Sequence, residues 1–188
     1  MSRRFLATLL AVGLAASTAA CATSRVNTRY NRFTDETIVT HRGLDLVPPD
    51  PWAGTSLKMQ VEYSSQGLIA VRPEQVTIAV VSAAKGSPYK DDHRLQLIAD
   101  GNLLESREAG YDPSERAGVV VEYMWVKLPT PVFVALANAA DVRGQIGPTA
   151  FVLTPEQVAE LKDYAAKLPP EGRKAVLELP FKLPDFKL

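Results

Sequence analysis

The sequence predicts an α+β fold: an antiparallel twisted sheet or open barrel closed by two C-terminal helices, with a β-sandwich carrying the same helices as the alternative. Three observations predict it. Strand-like segments follow one another from residue 36 to residue 128, and their short links favour antiparallel pairing. One of them, "LKMQVEY" at 57–63, alternates Leu57, Met59, Val61 and Tyr63 with Lys58, Gln60 and Glu62, the pattern of a strand with one face in the core and one in water. Helix signals come only after residue 129. The 188 residues are 46% hydrophobic and 22% charged, enough for one domain with a core of its own.

The elements can be read in order. "ETIVTH" (36–41) is rich in β-branched residues and reads as a strand. "VPPDPWAG" (47–54) contains three prolines and reads as a turn-rich crossing that cannot sustain regular pairing. After the alternating strand at 57–63, "VTIAVVSA" (76–83) is apolar at nearly every position, as a central strand is. "RLQLIADGNLLES" (94–106) reads as a hairpin bending at Asp100-Gly101 or Gly101-Asn102. "GYDPSER" (110–116) reads as a loop. "GVVVEYMWVKL" (118–128) is the longest strand candidate, with Val119, Val121, Tyr123 and Trp125 on one side and Trp125 expected in the core.

Both helices begin on Thr-Pro. Thr130 is a candidate N-cap with Pro131 in the first turn, where a missing N–H costs nothing. "VRGQIGPTAFVL" (142–153) predicts a hairpin around Gly147-Pro148. Thr154 and Gln157 then fit a capping box, and Val158, Leu161, Ala165 and Leu168 form an inward stripe ended by Pro169-Pro170. The organisation expected is therefore an export segment at 1–20, a tether at 21–34, a globular domain at 35–168 and an extended proline-containing tail at 169–188. The polar 22–34 segment has a first edge strand as its alternative, with Tyr30 and Phe33 docking on the body.

The first twenty residues have the layout of a secretory signal peptide. Arg3 and Arg4 precede an uncharged run at 5–16, and small residues follow it. The run is too short for a comfortable membrane span, which needs about 20 apolar residues. The chain's single cysteine comes next, in "TAAC" (18–21). This stretch resembles the lipobox of bacterial lipoprotein precursors. Ala19, Ala20 and Cys21 match its last three positions, while Thr18 stands where the family usually has an aliphatic residue. The resemblance implies that Cys21 receives a diacylglyceryl group and, with a further acyl chain such as palmitate, becomes the first residue of a membrane-anchored mature protein. More than one chain makes such attachment stable. Ala22, rather than Asp, after the cysteine implies by the same resemblance an outer-membrane address, with the periplasmic face favoured over the cell surface.

Other chemistries find little support. Basic and acidic residues both number 21; losing Arg3 and Arg4 with the leader leaves 19 against 21, a balance of −2. No broad electropositive field remains to attract nucleic acid. The two histidines, His41 and His93, are far apart and lack a metal-ligand spacing, so no metal or cofactor is expected. "DDHR" (91–94) reads as a solvated charged loop. Neither G-x-S-x-G nor a phosphate-cradling glycine loop is present; pairs such as His93 with Ser106 or Ser114 are ones any chain of this length offers, and Glu105 with Glu108 or Asp35 with Glu36 read as charges facing water. Among the aromatics, Trp52, Tyr89, Tyr123 and Trp125 could stack on a sugar or peptide, with Trp52 the better surface candidate. These readings favour a non-enzymatic binding or scaffolding module of the cell envelope, with an envelope protein as its partner. A carrier of an apolar ligand in a half-open barrel and a periplasmic hydrolase are the alternatives. The carrier requires an apolar cavity between sheet and helices; the hydrolase requires a histidine in a cleft beside an acid and a nucleophile.

Overall fold

The computed structural model describes residues 26–50, 55–171 and 175–176. Twelve strands and two helices are present among them: β1 (Val26–Asn31), β2 (Glu36–Asp50), β3 (Thr55–Gln66), β4 (Ile69–Ala70), β5 (Gln75–Ala84), β6 (Arg94–Ala99), β7 (Asn102–Glu108), β8 (Gly110–Arg116), β9 (Val119–Pro129), α1 (Thr130–Asn138), β10 (Val142–Ile146), β11 (Thr149–Val152), α2 (Pro155–Ala166) and β12 (Ala175–Val176). This is the predicted α+β architecture, antiparallel throughout and not closed into a barrel.

A six-stranded sheet in the order β1-β2-β3-β5-β9-β8 forms one layer. Its inward face is set by strict alternation. Leu57, Met59, Val61 and Tyr63 of β3 face the core as predicted, beside Val76, Ile78, Val80 and Ser82 of β5. The second layer is made by α1, α2 and a four-stranded sheet in the order β11-β10-β6-β7. One continuous hydrophobic cluster joins the layers, drawing Leu95, Leu97, Val142, Ile146 and Phe151 from the second sheet and Phe133, Leu136, Leu161 and Tyr164 from the helices.

Several elements differ from the sequence reading. Residues 26–31, assigned to the tether with a first edge strand as the alternative, are the edge strand β1, in register with β2 from Val26 opposite His41 to Asn31 opposite Glu36. The strand expected at 36–41 runs on to Asp50. Register shifts fall between His41 and Leu44, Asp45 and Val47, and Val47 and Asp50, so the prolines at 48 and 49 sit at an irregularity, where a missing N–H removes no ladder bond. Residues 110–116, read as a loop, are β8. Its Pro113 is tolerated because β8 is an edge strand paired only with β9. The β8–β9 turn uses Ala117 and Gly118, and the β6–β7 turn Asp100 and Gly101; all four have positive φ, as a two-residue hairpin of right-handed twist requires.

The helices follow their signals unequally. The α2 capping box is complete: Gln157 N–H donates to Thr154 Oγ1, and Thr154 N–H donates to Gln157 Oε1. The helix buries Leu161 and Tyr164, with Leu168 just beyond, while Val158 and Ala165 are half-buried. Thr130 is not an N-cap. It is the first helical residue of α1, and its hydroxyl donates to the Pro73 carbonyl while its N–H donates to the Glu74 carbonyl. Part of the tail is tied to the body, with β12 pairing β4 and Arg72 Nη1 donating to Pro169 O at 3.1 Å.

Candidate functional site

The two sheets meet at a corner where the chain passes from one to the other twice. Strand β7 ends at Glu108 and β8 begins at Gly110; the buried Ala109 between them donates its N–H to His93 O, the residue before β6. The crossing is close-packed. Gly110 leaves room for the indole of Trp125, whose ring atoms lie 2.4–2.8 Å from where a Cβ would stand.

Glu122 of β9 lies within this corner. Its register places it opposite Ser82 of β5 and Pro113 of β8, and its side chain faces inward with Met124, Val126 and Leu128. It has no exposed surface. Oε1 accepts the Tyr89 N–H at 3.2 Å and the Tyr111 hydroxyl at 2.9 Å, while Oε2 has no hydrogen-bond partner among the described residues. Burying a carboxyl is costly unless its oxygens are bonded, so one half of this group is satisfied and the other is not.

Tyr111 and Tyr89 extend the arrangement. Burial, and then the hydrogen bond to Glu122, pushes the Tyr111 phenol above its ordinary value; burial does the same to Tyr89. The Tyr111 ring stacks on His93, centroids 4.8 Å apart at 22°. His93 Nδ1 lies 3.3 Å from Tyr89 O and Nε2 3.3 Å from Glu108 Oε1, which also faces Arg94 at 3.5 Å through its second oxygen. Both ring nitrogens thus face oxygen acceptors, of which a neutral imidazole can donate to only one. "DDHR" is only partly the solvated loop expected: Asp91, Asp92 and Arg94 are exposed, but His93 is built into the corner.

Beside this network a cleft of about 200 Å³ opens between the sheets, lined among others by Val47, Leu57, Ser82, Ala84, Tyr89 and Thr149. Tyr89 serves both features. Its backbone N–H holds Glu122, and its hydroxyl meets Thr149 Oγ1 at 2.9 Å on the cleft wall. The cleft can accept a small apolar group with hydroxyl partners at its rim, such as a protruding side chain.

The remaining candidates scatter. Cys21, Thr18 and Trp52 lie outside the described residues. His41 is buried beneath α2, its Nε2 3.6 Å from Glu160 Oε2 and its ring edge-on to Tyr164 at 5.9 Å. Ser106 and Ser114 are exposed on β7 and β8; the Ser114 hydroxyl points to Val121 O. Glu105 pairs with Arg107, and Asp35 accepts the Tyr30 hydroxyl. Trp125 is not in the core: it sits half-buried on the outward face of the large sheet, tilted against Tyr123 at 5.5 Å. Among the described residues no group of three or more His, Cys, Asp or Glu side chains is placed to hold a metal, and no helix is long and apolar enough to cross a membrane. Sequence reasoning missed Glu122, whose signal was a single acid flanked by apolar residues within β9. No protein-family model, curated protein or solved structure matches the chain.

Proposed function

We propose that the chain is an exported, lipid-anchored protein of the cell envelope, tethered through Cys21, whose domain works as a non-catalytic binding module using the cleft between its sheets. The observation that carries the binding assignment is the contrast between a filled interior and an open cleft. Side chains lining an internal ligand-sized void would keep accessible surface, yet Met59, Ile78, Leu128, Phe133, Leu136, Leu161 and Tyr164 keep 0–1% between sheet and helices. That space does not suit a carrier of an apolar ligand. The cleft lies instead at the end of the core, where Ser82, Tyr89 and Thr149 offer polar contacts beside Val47 and Leu57.

The histidine geometry favours binding over hydrolysis. A general base needs a ring nitrogen within reach of a nucleophile's proton. The contacts of the His93 ring nitrogens are Tyr89 O and Glu108, and the Ser114 hydroxyl is turned to Val121 O.

The test has two parts. The intact mass of protein extracted from membranes is expected to equal a chain beginning at Cys21 plus acyl groups; an unmodified mass overturns the anchor. A photo-crosslinking residue placed at Pro88, on the exposed rim of the cleft, is expected to give a discrete adduct in intact cells. Ser82→Trp, which fills the cleft, abolishes that adduct. A pattern unchanged by the filled cleft overturns the binding assignment.

A further inference from the structure

We propose that the outward hollow beside β1 receives phosphate groups of the lipid leaflet holding the anchor, so that the first three strands lie against anionic headgroups. The proposal rests on the anchored reading above and names the surface that anchoring presents to the bilayer.

Two independent observations converge on it. The first is chemical. On the outward face of β1, β2 and β3 a hollow of about 530 Å³ is lined by Asn27, Arg29, Thr40, Arg42, Lys58 and Gln60. Arg29 and Arg42 are exposed and have no ion-pair partner among the described residues, whereas Lys58 is held at 3.1 Å by Asp45. A guanidinium is a planar fork of donors that matches a phosphate, and it keeps its charge at any accessible pH. Asn27, Thr40 and Gln60 add neutral donors between the two arginines. One carboxylate, Glu62, faces the same hollow. It is half-buried, and burial first and Glu36 second raise its pKa.

The second observation is a length. Val26 opens β1, five residues after Cys21, so even a fully extended link spans no more than about 18 Å. Asn27, the next residue, already lines the hollow and stands opposite Thr40 in register. A lipid on Cys21 would therefore hold this end of the sheet close to the headgroups, while the second sheet and both helices lie on the opposite side of the large sheet. The link itself carries one more cation, Arg25. Cations near an anionic surface act within a Debye length, about 10 Å at 0.1 M salt, which the short link secures.

The experiment uses the acylated full-length mature protein in phosphatidylcholine vesicles with or without phosphatidylglycerol. With Cys21 blocked by lipid, a single introduced cysteine takes a fluorophore: Thr34→Cys, on the turn after β1, or Ala150→Cys, on the second sheet. Quenching by a headgroup nitroxide lipid reads proximity to the bilayer. The dye at 34 is expected to be quenched more strongly than the dye at 150 in anionic vesicles. That difference is lost in high salt and in Arg29→Glu/Arg42→Glu, restored by Arg29→Lys/Arg42→Lys, and enlarged by Glu62→Gln. An unchanged thermal melt shows that the double variant folds. Protein that does not float with the vesicles overturns the anchor and this proposal together. Protein that floats but quenches equally at 34 and 150, or identically with and without the two arginines, overturns this proposal alone.

Discussion

The two ends of the inward sheet face are held by different physics. Over β2, β3 and β5 the covering helices supply aromatic and aliphatic bulk: Phe133 and Tyr164 meet edge-on at 5.9 Å, and Tyr63 tilts against Tyr164 at 6.2 Å. Within that group the Tyr164 hydroxyl donates to Val39 O at 2.9 Å, and burial pushes it well above its ordinary value. At the corner over β9 and β8 the equivalent position is filled by Glu122, held by one backbone donor and one phenol. The first end is specified by volume and the second by a few directed bonds. The cleft beside the second end has walls that a few hydrogen bonds hold in place.

The largest effect expected from this contrast is at the apolar end. Phe133→Ala removes a fully buried ring from the contact of α1 with the sheet and is expected to cost about 3–5 kcal/mol. Urea unfolding followed by tryptophan fluorescence measures it. A loss below about 1 kcal/mol would mean that the helices are not what fills this interior.

Next in size is a matched pair. Tyr164→Phe and Tyr111→Phe each delete one hydroxyl donating at 2.9 Å, the first to a backbone carbonyl and the second to a buried carboxyl oxygen. The second also strips a donor from a fully buried carboxyl whose other oxygen has none, so the first should cost about 1 kcal/mol and the second about 1–3. The consequences should also differ in place. Loss at Tyr111 should speed amide hydrogen exchange from residue 85 to residue 93, because Glu122 holds Tyr89 N–H there; loss at Tyr164 should leave that segment unchanged. Equal costs, or exchange that quickens everywhere, would erase the distinction between the two ends.

The same contrast marks what could be read from the amino acids alone. The apolar end was legible because one-sided alternation in β3 and the Thr154–Gln157 capping box are local patterns with a single structural reading. The corner was not. Strand β9 is apolar on both faces, so its period is ambiguous: Val119, Val121, Tyr123 and Trp125 suggested the inner face, whereas Glu122, Met124, Val126 and Leu128 occupy it. Strand β8 carries Gly, Asp, Pro and Ser and is a strand only because β9 lies beside it. His93 and Tyr89 sit in a charged stretch whose burial depends on contacts with Glu108, Tyr111 and Thr149 across the fold. Pairing imposed by distant residues leaves no local signature.

The smallest expected effect tests whether the outward face is under electrostatic tension of its own. Glu62 is half-buried there, and burial together with Glu36 raises its folded-state pKa above the ordinary carboxylate value. A raised value means that the folded chain holds this proton more tightly than the unfolded chain does. Stability therefore falls as pH rises from the unfolded value, about 4.3, through the folded one, and the deficit persists at neutral pH. Glu62→Gln removes the titration. It should raise the urea midpoint slightly at pH 7 and leave it nearly unchanged at pH 3.5, where the wild-type carboxyl is already protonated in the folded state. A variant less stable than wild type at pH 7 would show that Glu62 holds the outward face together instead of straining it, and the polar half of that face would then resemble the Glu122 corner more than the helix-covered core.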